Sequence, residues 1–214
     1  HFTDELFTSI GGTELVFPVS RLLVDVERFE DDAKEPMAEK GMGVLYTKTH
    51  DQHPLRTSPT VVERERLLNA FYRPHHQRLS DSVDAQLAAN RKALIIDCHS
   101  FPSEPLPYQT VRRGDFPEIC IGTDEYHTPE ILRDAFLIGF AKQGFTVGLN
   151  HPFAGALTPL KHYQSDQRVS AIMIEIRRDL YMNETTGKPS EDFKKTREAL
   201  QSVMQNAIVT SDLD

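Results

Sequence analysis

The 214-residue sequence has little cysteine, no long apolar segment and no excess of basic charge. Its two cysteines, Cys98 and Cys120, both lie in apolar runs that predict strands. A disulfide framework is therefore not expected, and we predict a reducing compartment, the cytoplasm. No run approaches the ~18 apolar residues that a membrane-spanning helix needs, so no membrane segment is expected. The first residues show neither the basic nor the apolar region of an export signal.

The charge balance narrows the choice of partner. A net charge of −8 and a pI near 5.6 argue against a nucleic acid, because binding that polyanion needs a basic face. The basic pairs Arg112-Arg113 and Arg177-Arg178 suit a small anionic ligand instead. An apolar content of 39% is ordinary for a globular protein, and no repeat, low-complexity tract or linker divides the chain. We therefore predict a single domain over residues 1–214.

The stretch Ala93–Ser100 holds the most informative pattern. Four consecutive apolar residues predict a buried strand, and that strand ends in Asp97 and His99. Because side chains alternate along a strand, these two are expected on the same side. Open α/β sheets keep their sites at such strand ends. A buried histidine is also often only a hydrogen-bonded core residue, so this strand alone leaves both interpretations open.

Strands and helices alternate along the chain, which predicts an α/β fold with a mostly parallel or mixed sheet. A capping box at Thr60 and Glu63 begins a long helical region that Pro74 interrupts. Further helices are predicted over 128–144 and from Ser190 onward. Glu14–Val19 and Leu22–Val26 are predicted as two short strands or one interrupted strand. The other predicted strands are Ile119–Gly122, Phe145–Leu149 and Val169–Ile176.

Four predicted strands end in polar residues that can act as acids or bases, bind a metal ion or bind an anion. If these ends face one crevice, they bring an imidazole, a carboxylate and two guanidiniums together. That combination fits hydrolysis of an amide on a small anion. His99 would bind a metal ion, Glu175 would take a proton from the metal-bound water, and an arginine would bind a substrate carboxylate with two hydrogen bonds. The four ends are Asp25/Arg28, Asp97/His99, Asn150/His151 and Glu175/Arg177.

Each of these residues also has a plainer interpretation. Glu175 can be an outward residue, although Ile174 beside it indicates a buried strand, where an unpaired carboxylate is costly. Arg28 can form a surface bridge with the acids at 30–32, and Arg177 or Arg178 can do so with Asp179. Asn150 can serve only the turn that follows it.

The remaining candidates are histidines and a thiol. Adjacent His75 and His76 can be metal ligands, but polar surface or capping groups are the expected role. Cys98 is expected to be an inert packing residue. Four loop histidines are expected to be exposed: His50, His53, His127 and His162.

Five segments together resemble the N-formylglutamate amidohydrolase family, in that family's order and over nearly the whole chain. The resemblance implies a relation to zinc carboxypeptidases and aspartoacylases. It therefore implies a three-layer α/β/α fold with a mixed, mostly parallel sheet and a single zinc ion. The segments are Val24–Arg28, Ile96–Ser100, Glu118–Asp124, Asn150–Gly155 and Ile172–Met182.

The resemblance also implies roles for individual residues. His99 would be a zinc ligand, Glu175 the general base and acid, and Arg28 a contact for the substrate carboxylate. The substrate would be a small anionic N-acyl amino acid, most simply N-formyl-L-glutamate, cleaved to formate and L-glutamate. A hydrolase of another N-acyl amino acid or peptide, or a small-anion-binding protein that has lost its metal, are the alternatives. Weaker candidates for lining the pocket are Asn150, Arg177 and Tyr163.

The sequence departs from the family pattern at two points. A His-Ser-Gly turn after an N-terminal strand, which would supply another zinc ligand, is not found, and His1–Asp4 resembles the helix that follows that motif. Zinc occupancy is thus expected only where further ligands exist, because catalytic zinc normally has three protein ligands. Glu27 stands where the family's Asp-x-Asn-Arg pattern has asparagine, and its carboxylate would partly neutralise Arg28.

Overall fold

A computed structural model describes residues 1–8, 11–106, 114 and 116–211, so Arg112 and Arg113 lie outside the described residues. The chain divides into two compact units. The first contains His1–Glu14 and most of the chain from Ala85 onward, and the second is built mainly from Leu15–Asp84. The single domain expected over residues 1–214 stays a prediction. Among the described residues, no helix has the length and apolar character that crossing a membrane requires.

The first unit is built on a four-stranded sheet with the strand order β1-β4-β2-β3. Strands β1 and β4 pair in parallel, as do β2 and β3, whereas β2 and β4 are antiparallel. The prediction of an α/β fold with a mixed, mostly parallel sheet is therefore confirmed. The strands are β1 Ala93–Phe101, β2 Ile119–Gly122, β3 Val147–Leu149 and β4 Val169–Arg177.

Helices and short segments complete the described chain. A two-stranded antiparallel ribbon consists of β5, Met182–Asn183, and β6, Lys188–Pro189. Short 3₁₀ turns lie at Ala38–Lys40 and Arg178–Leu180. The helices are α1 Thr3–Leu6, α2 Val61–Leu67, α3 Arg73–Asn90, α4 Glu130–Lys142 and α5 Phe193–Ser211.

The two faces of the four-stranded sheet differ in chemistry. One face presents the isoleucines of β2 and β4, which are fully buried against α4 and α5. Because alternate strand residues point to opposite faces, the other face carries the residues between those isoleucines. We call that other face the polar face and define it by Asp97, His99, Cys120 and Glu175.

The second unit has a separate apolar core. No strand forms over Glu14–Val19 or Leu22–Val26, so those two predictions are wrong. The backbone around Asp25 turns instead, because the Asp25 carboxylate accepts a hydrogen bond from the Glu27 N–H at 3.1 Å. Such a local bond competes with a strand ladder. The core residues are Val24, Val26, Val44, Leu45, Leu67, Leu68 and Tyr72.

The helical region of the second unit begins and breaks where the sequence indicates. Thr60 caps α2 by accepting a hydrogen bond from the Glu63 N–H at 3.2 Å. A π-helical turn at Leu68–Tyr72 separates α2 from α3. Pro74 lies just after that turn and cannot supply the N–H that a regular helix needs there. The predicted interruption is therefore confirmed.

Candidate active site

A row of three paired residues crosses the polar face of the first unit. Glu175 on β4 is the register partner of His99 on β1 and of Cys120 on β2. Paired residues of neighbouring strands project to the same face about 4.8 Å apart. Glu175 is 8% exposed, so a nearly buried carboxylate lies between an imidazole and a thiol.

The imidazole of His99 is held by a carboxylate on its own strand. Its Nε2 lies 2.7 Å from Oδ1 of Asp97, which confirms that the two side chains share one side. The other oxygen of Asp97 accepts a hydrogen bond from the Leu157 N–H at 3.2 Å, so the carboxylate is itself fixed. In a neutral ring this contact puts the lone pair on Nδ1, the nitrogen through which the ring can bind a metal.

Both cysteines are protected thiols. Cys120 is fully buried, and its Sγ donates to the Phe153 carbonyl at 3.2 Å. Burial, with a smaller contribution from the charge of Glu175, raises the pKa of Cys120 to about 11. Cys98 packs on the apolar face, where burial raises its thiol pKa well above the ordinary value. Neither is a thiolate near neutral pH, which agrees with the packing role expected for Cys98.

An aromatic cluster closes the Cys120 end of this row. Phe101, at the end of β1, meets Phe116 edge to face with ring centroids 5.5 Å apart. It meets Phe153 in the same way at 5.4 Å. These rings bury Cys120 in apolar surface, which keeps water away from that end and strengthens electrostatic interactions nearby.

Arg177 lies two residues beyond Glu175 on the same strand, but its guanidinium already has partners. Its Nε donates to Asp179 at 2.7 Å and its Nη1 to the Phe116 carbonyl at 3.0 Å. The plainer interpretation, an ion pair with Asp179, is therefore present in the structure. A contact between Arg177 and a substrate stays a prediction.

Asn150 lies at the far edge of the sheet from His99. It follows β3, about three strand spacings or roughly 14 Å from β1. Its side-chain oxygen accepts from the Thr123 N–H at 2.9 Å, and its amide donates to the Thr123 hydroxyl at 2.8 Å. The expected crevice shared by the ends of β1, β3 and β4 is wrong, because β3 runs antiparallel to β1 and β4. The assignment of Asn150 to the pocket stays a prediction.

Tyr163 and the loop histidines occupy different environments. Tyr163 is 40% exposed and stacks on His127 with ring centroids 5.9 Å apart. His127 and His162 are buried, so their predicted exposure is wrong, whereas His50 and His53 are exposed as expected.

His127 is buried because the backbone satisfies both of its ring nitrogens. Its Nδ1 lies 2.7 Å from the Val169 carbonyl, and its Nε2 accepts from the Gln164 N–H at 2.9 Å. No local sequence signal marks these partners, which lie about 40 positions along the chain.

In the second unit, Arg28 belongs to a network around a buried carboxylate that the sequence did not reveal. Asp25 is 1% exposed and accepts from Arg21 at 2.8 and 3.1 Å and from the Tyr46 hydroxyl at 2.8 Å. Arg28 approaches the same carboxylate at 3.5 Å and Glu35 at 4.0 Å.

The acids expected to pair with Arg28 have other partners. Glu30 pairs with Arg73 at 2.5 Å, and Asp32 pairs with Arg64 at 3.0 Å. The predicted surface bridge between Arg28 and the acids at 30–32 is therefore absent from the ion pairs of the described residues.

Of the two histidines at the helix break, His75 is buried and His76 is half-buried. His75 is 9% exposed, and burial lowers its pKa to about 4. His76 contacts the Val26 carbonyl through Nε2 at 2.9 Å, and burial lowers its pKa as well. The expectation of a surface group is therefore wrong for His75, because Leu67, Leu68 and Tyr72 at this break belong to the core of the second unit.

The chain is similar to known proteins in sequence and in fold. The model of the N-formylglutamate amidohydrolase family matches residues 1–182. An N-formylglutamate deformylase of Pseudomonas aeruginosa is 28% identical over 189 residues, covering 86% of this chain and 68% of that protein. An N-formylglutamate deformylase of Pseudomonas putida is 26% identical over 182 residues, covering 82% and 66% respectively. The chain thus spans about two thirds of the length of these relatives.

Two solved structures have similar folds. The crystal structure of an N-formylglutamate amidohydrolase from Ralstonia eutropha JMP134 superimposes with a TM-score of 0.75 at 25% identity, covering 90% of this chain and 75% of that one. A gene product of Agrobacterium tumefaciens superimposes with a TM-score of 0.64 at 26% identity, covering 89% and 67%.

Proposed function

Because this chain belongs to the N-formylglutamate amidohydrolase family, we propose that it hydrolyses N-formyl-L-glutamate to formate and L-glutamate. The observation that carries the proposal is the pairing of Glu175 with His99 on the polar face, with Asp97 holding the imidazole. The names of the two Pseudomonas relatives support the choice of substrate.

In the proposed reaction, Glu175 is the general base and then the general acid. Its carboxylate takes a proton from the attacking water and delivers it to the nitrogen of the leaving glutamate. Groups in this role typically accelerate a reaction by 10²–10⁴-fold. The near burial of Glu175 supports the assignment, because a carboxylate costs free energy when removed from water and needs a functional or structural reason to be there.

We further propose that the reaction uses one zinc ion, held in part by His99. An imidazole whose second nitrogen contacts a carboxylate is a common arrangement for a zinc ligand, so the Asp97–His99 pair fits the group. Zinc, when bound, would polarise the formyl carbonyl as a Lewis acid. The mixed sheet supports the related proposal of a three-layer, zinc-carboxypeptidase-like architecture.

The remaining proposed roles concern the substrate. Arg28 would bind a carboxylate of N-formylglutamate, since a guanidinium offers a planar, bidentate fit to that group. We keep Asn150, Arg177 and Tyr163 as secondary pocket residues, with Arg177 acting through its guanidinium while it stays paired with Asp179. Cys98 and Cys120 are free thiols, which supports the cytoplasmic location that we propose.

The test of the base is the substitution Glu175→Gln, which keeps the shape of the side chain and removes its basicity. We expect formate release from N-formyl-L-glutamate to fall about 10²–10⁴-fold, because the water loses its proton acceptor. The control is Glu191→Gln, an exposed glutamate of the same unit, which should match the unchanged protein. A folded Glu175→Gln protein with full turnover would remove Glu175 from the mechanism.

Substrate choice and metal dependence need a second experiment. Formyl, acetyl and dipeptide derivatives of glutamate should be compared with and without added zinc after chelation. Preference for the formyl compound with recovery on zinc supports the proposal. Preference for an acetyl or peptide substrate identifies another hydrolase, and binding of glutamate without turnover identifies an anion-binding protein.

A further inference from the structure

Two arginines of the second unit approach one buried carboxylate, and they do so unequally. Arg21 donates to Oδ2 of Asp25 from Nη2 at 2.8 Å and from Nε at 3.1 Å. The Nε of Arg28 lies 3.5 Å from that same oxygen, which exceeds the range of a normal N–H···O hydrogen bond. Arg21 therefore holds Asp25 firmly, and Arg28 is only an electrostatic neighbour.

The hydrogen-bonding capacity of Asp25 is already used. Besides the two bonds from Arg21, Oδ2 accepts from the Tyr46 hydroxyl at 2.8 Å and Oδ1 accepts from the Glu27 N–H at 3.1 Å. Oδ2, the oxygen that lies 3.5 Å from Arg28, thus already accepts three hydrogen bonds, whereas a carboxylate oxygen has about two acceptor sites. Asp25 consequently has little capacity left for Arg28.

Glu35, the other carboxylate near Arg28, is also engaged. Its Oε2 accepts from the Phe29 N–H at 3.1 Å and its Oε1 from the Met37 N–H at 2.9 Å, and Oε1 lies 4.0 Å from Nη1 of Arg28. The buried Nε of Arg28 makes no hydrogen bond to any residue that the structure describes. A buried donor left unsatisfied is costly, so this guanidinium is suited to an additional anion.

We propose that Arg21 is a positioning residue for anion binding: by occupying and neutralising Asp25, it keeps the Arg28 guanidinium available for a carboxylate of the ligand. Without Arg21, Asp25 would turn to Arg28, close the 3.5 Å gap and compete with the ligand for the same donors. This inference rests on the proposed function in taking Arg28 as the contact for a carboxylate and a dicarboxylic amino acid as the natural ligand. The chemistry itself requires only a carboxylate.

The experiment replaces Arg21 and measures binding of glutarate, a simple dicarboxylate. Arg21→Gln should weaken glutarate binding about 10- to 100-fold, because a charge-assisted hydrogen bond to Arg28 is lost to Asp25. Arg21→Lys restores a positive charge without the fork of donors, and it should recover part of the affinity. The matched control is Arg64→Gln, which breaks the pair with Asp32 in the same unit and should leave glutarate binding unchanged.

A direct readout separates positioning from simple loss of structure. The Nε–H NMR signal of Arg28, assigned by its disappearance in Arg28→Lys, should shift on glutarate addition in the unchanged protein and in Arg64→Gln. In Arg21→Gln it should already differ without glutarate and respond little to it. With N-formyl-L-glutamate as substrate, Arg21→Gln should raise KM about 10-fold and leave kcat within about twofold.

The outcomes are distinguishable from failure of the proposed function. An unchanged protein that releases no formate while glutarate still shifts the Arg28 signal contradicts the proposed function and leaves the role of Arg21 standing. Equal glutarate affinity in Arg21→Gln and the unchanged protein overturns the inference. So does an Arg28 signal whose chemical shift does not change when glutarate is added to the unchanged protein. If Arg21→Gln does not fold, Arg21→Lys decides by the same criteria.

Discussion

The buried histidine at the helix break gives the second unit a defined response to acid. His75 lies on α3 with its ring edge against Phe17, at a centroid distance of 5.2 Å, and beside His76 at 5.8 Å. Burial lowers the pKa of His75 to about 4, and the charges of His76 and Arg78 act in the same direction. Between pH 6.5 and about 4, the His75 ring is therefore neutral in the folded protein and protonated in the unfolded chain.

The size of the effect follows from linkage. The pKa of His75 falls from 6.5 in the unfolded chain to about 4 in the folded protein. The contribution of the neutral ring to the free energy of unfolding is therefore present above pH 6.5 and is lost as the pH falls toward 4. The whole shift corresponds to about 3 kcal/mol, of which about 2 kcal/mol is lost between pH 7.5 and pH 5. For a chain of this size, we expect Tm to fall by about 4–8 °C over that interval from His75 alone.

The assay is thermal unfolding of His75→Phe and the unchanged protein at pH 7.5 and pH 5. Phenylalanine keeps an aromatic ring against Phe17 and cannot be protonated, so the variant should lose about 4–8 °C less on acidification. His75→Leu serves if the larger ring does not fit, and His53→Phe at an exposed site is the control. Equal losses of Tm in the unchanged protein and both His75 variants would refute the reasoning.

Two further predictions concern the first unit. Asp97→Asn should weaken zinc affinity about 10- to 100-fold in a chelator competition, because the carboxylate that orients the His99 ring is lost. The control Asp134→Asn on the surface should leave zinc affinity unchanged. Equal zinc affinities of Asp97→Asn and the unchanged protein would show that Asp97 does not support metal binding. Neither thiol of the native protein should react with a thiol reagent at pH 8, and both should react after denaturation, because burial raises the pKa of both thiols. Fast labelling of Cys120 in the native protein would contradict its buried position.

The parts of the site that lie within one strand could be predicted from the sequence. Apolar residues before Asp97 and His99 predicted the strand, and the alternation of side chains predicted their shared side, which the 2.7 Å contact confirms. Both inferences use only neighbours in the chain, where backbone geometry leaves few choices. The break before Pro74 followed from the same kind of local constraint.

Features that depend on strand direction or on partners distant in the sequence could not be predicted from neighbouring residues. The row of His99, Glu175 and Cys120 depends on the order β1-β4-β2, and a short apolar strand carries no information about its neighbour or their relative direction. The antiparallel pairing of β2 with β4, which makes β3 run opposite to β1 and β4, could not be predicted for this reason. Burial of His127 likewise depends on a carbonyl 42 positions away.

The segment Val24–Arg28 shows how a motif can be recognised while its conformation is mistaken. It resembles a family pattern in which Glu27 replaces asparagine, and it reads as the end of a strand. The structure instead has a turn, in which Asp25 accepts from the backbone N–H of residue 27 at 3.1 Å and from that of Arg28 at 3.3 Å. Position 27 supports this turn through its main chain, so either side chain is compatible with it. The consequence of glutamate at position 27 is therefore electrostatic: one more negative charge near Arg28, opposed by the positive charge of Arg21 on Asp25.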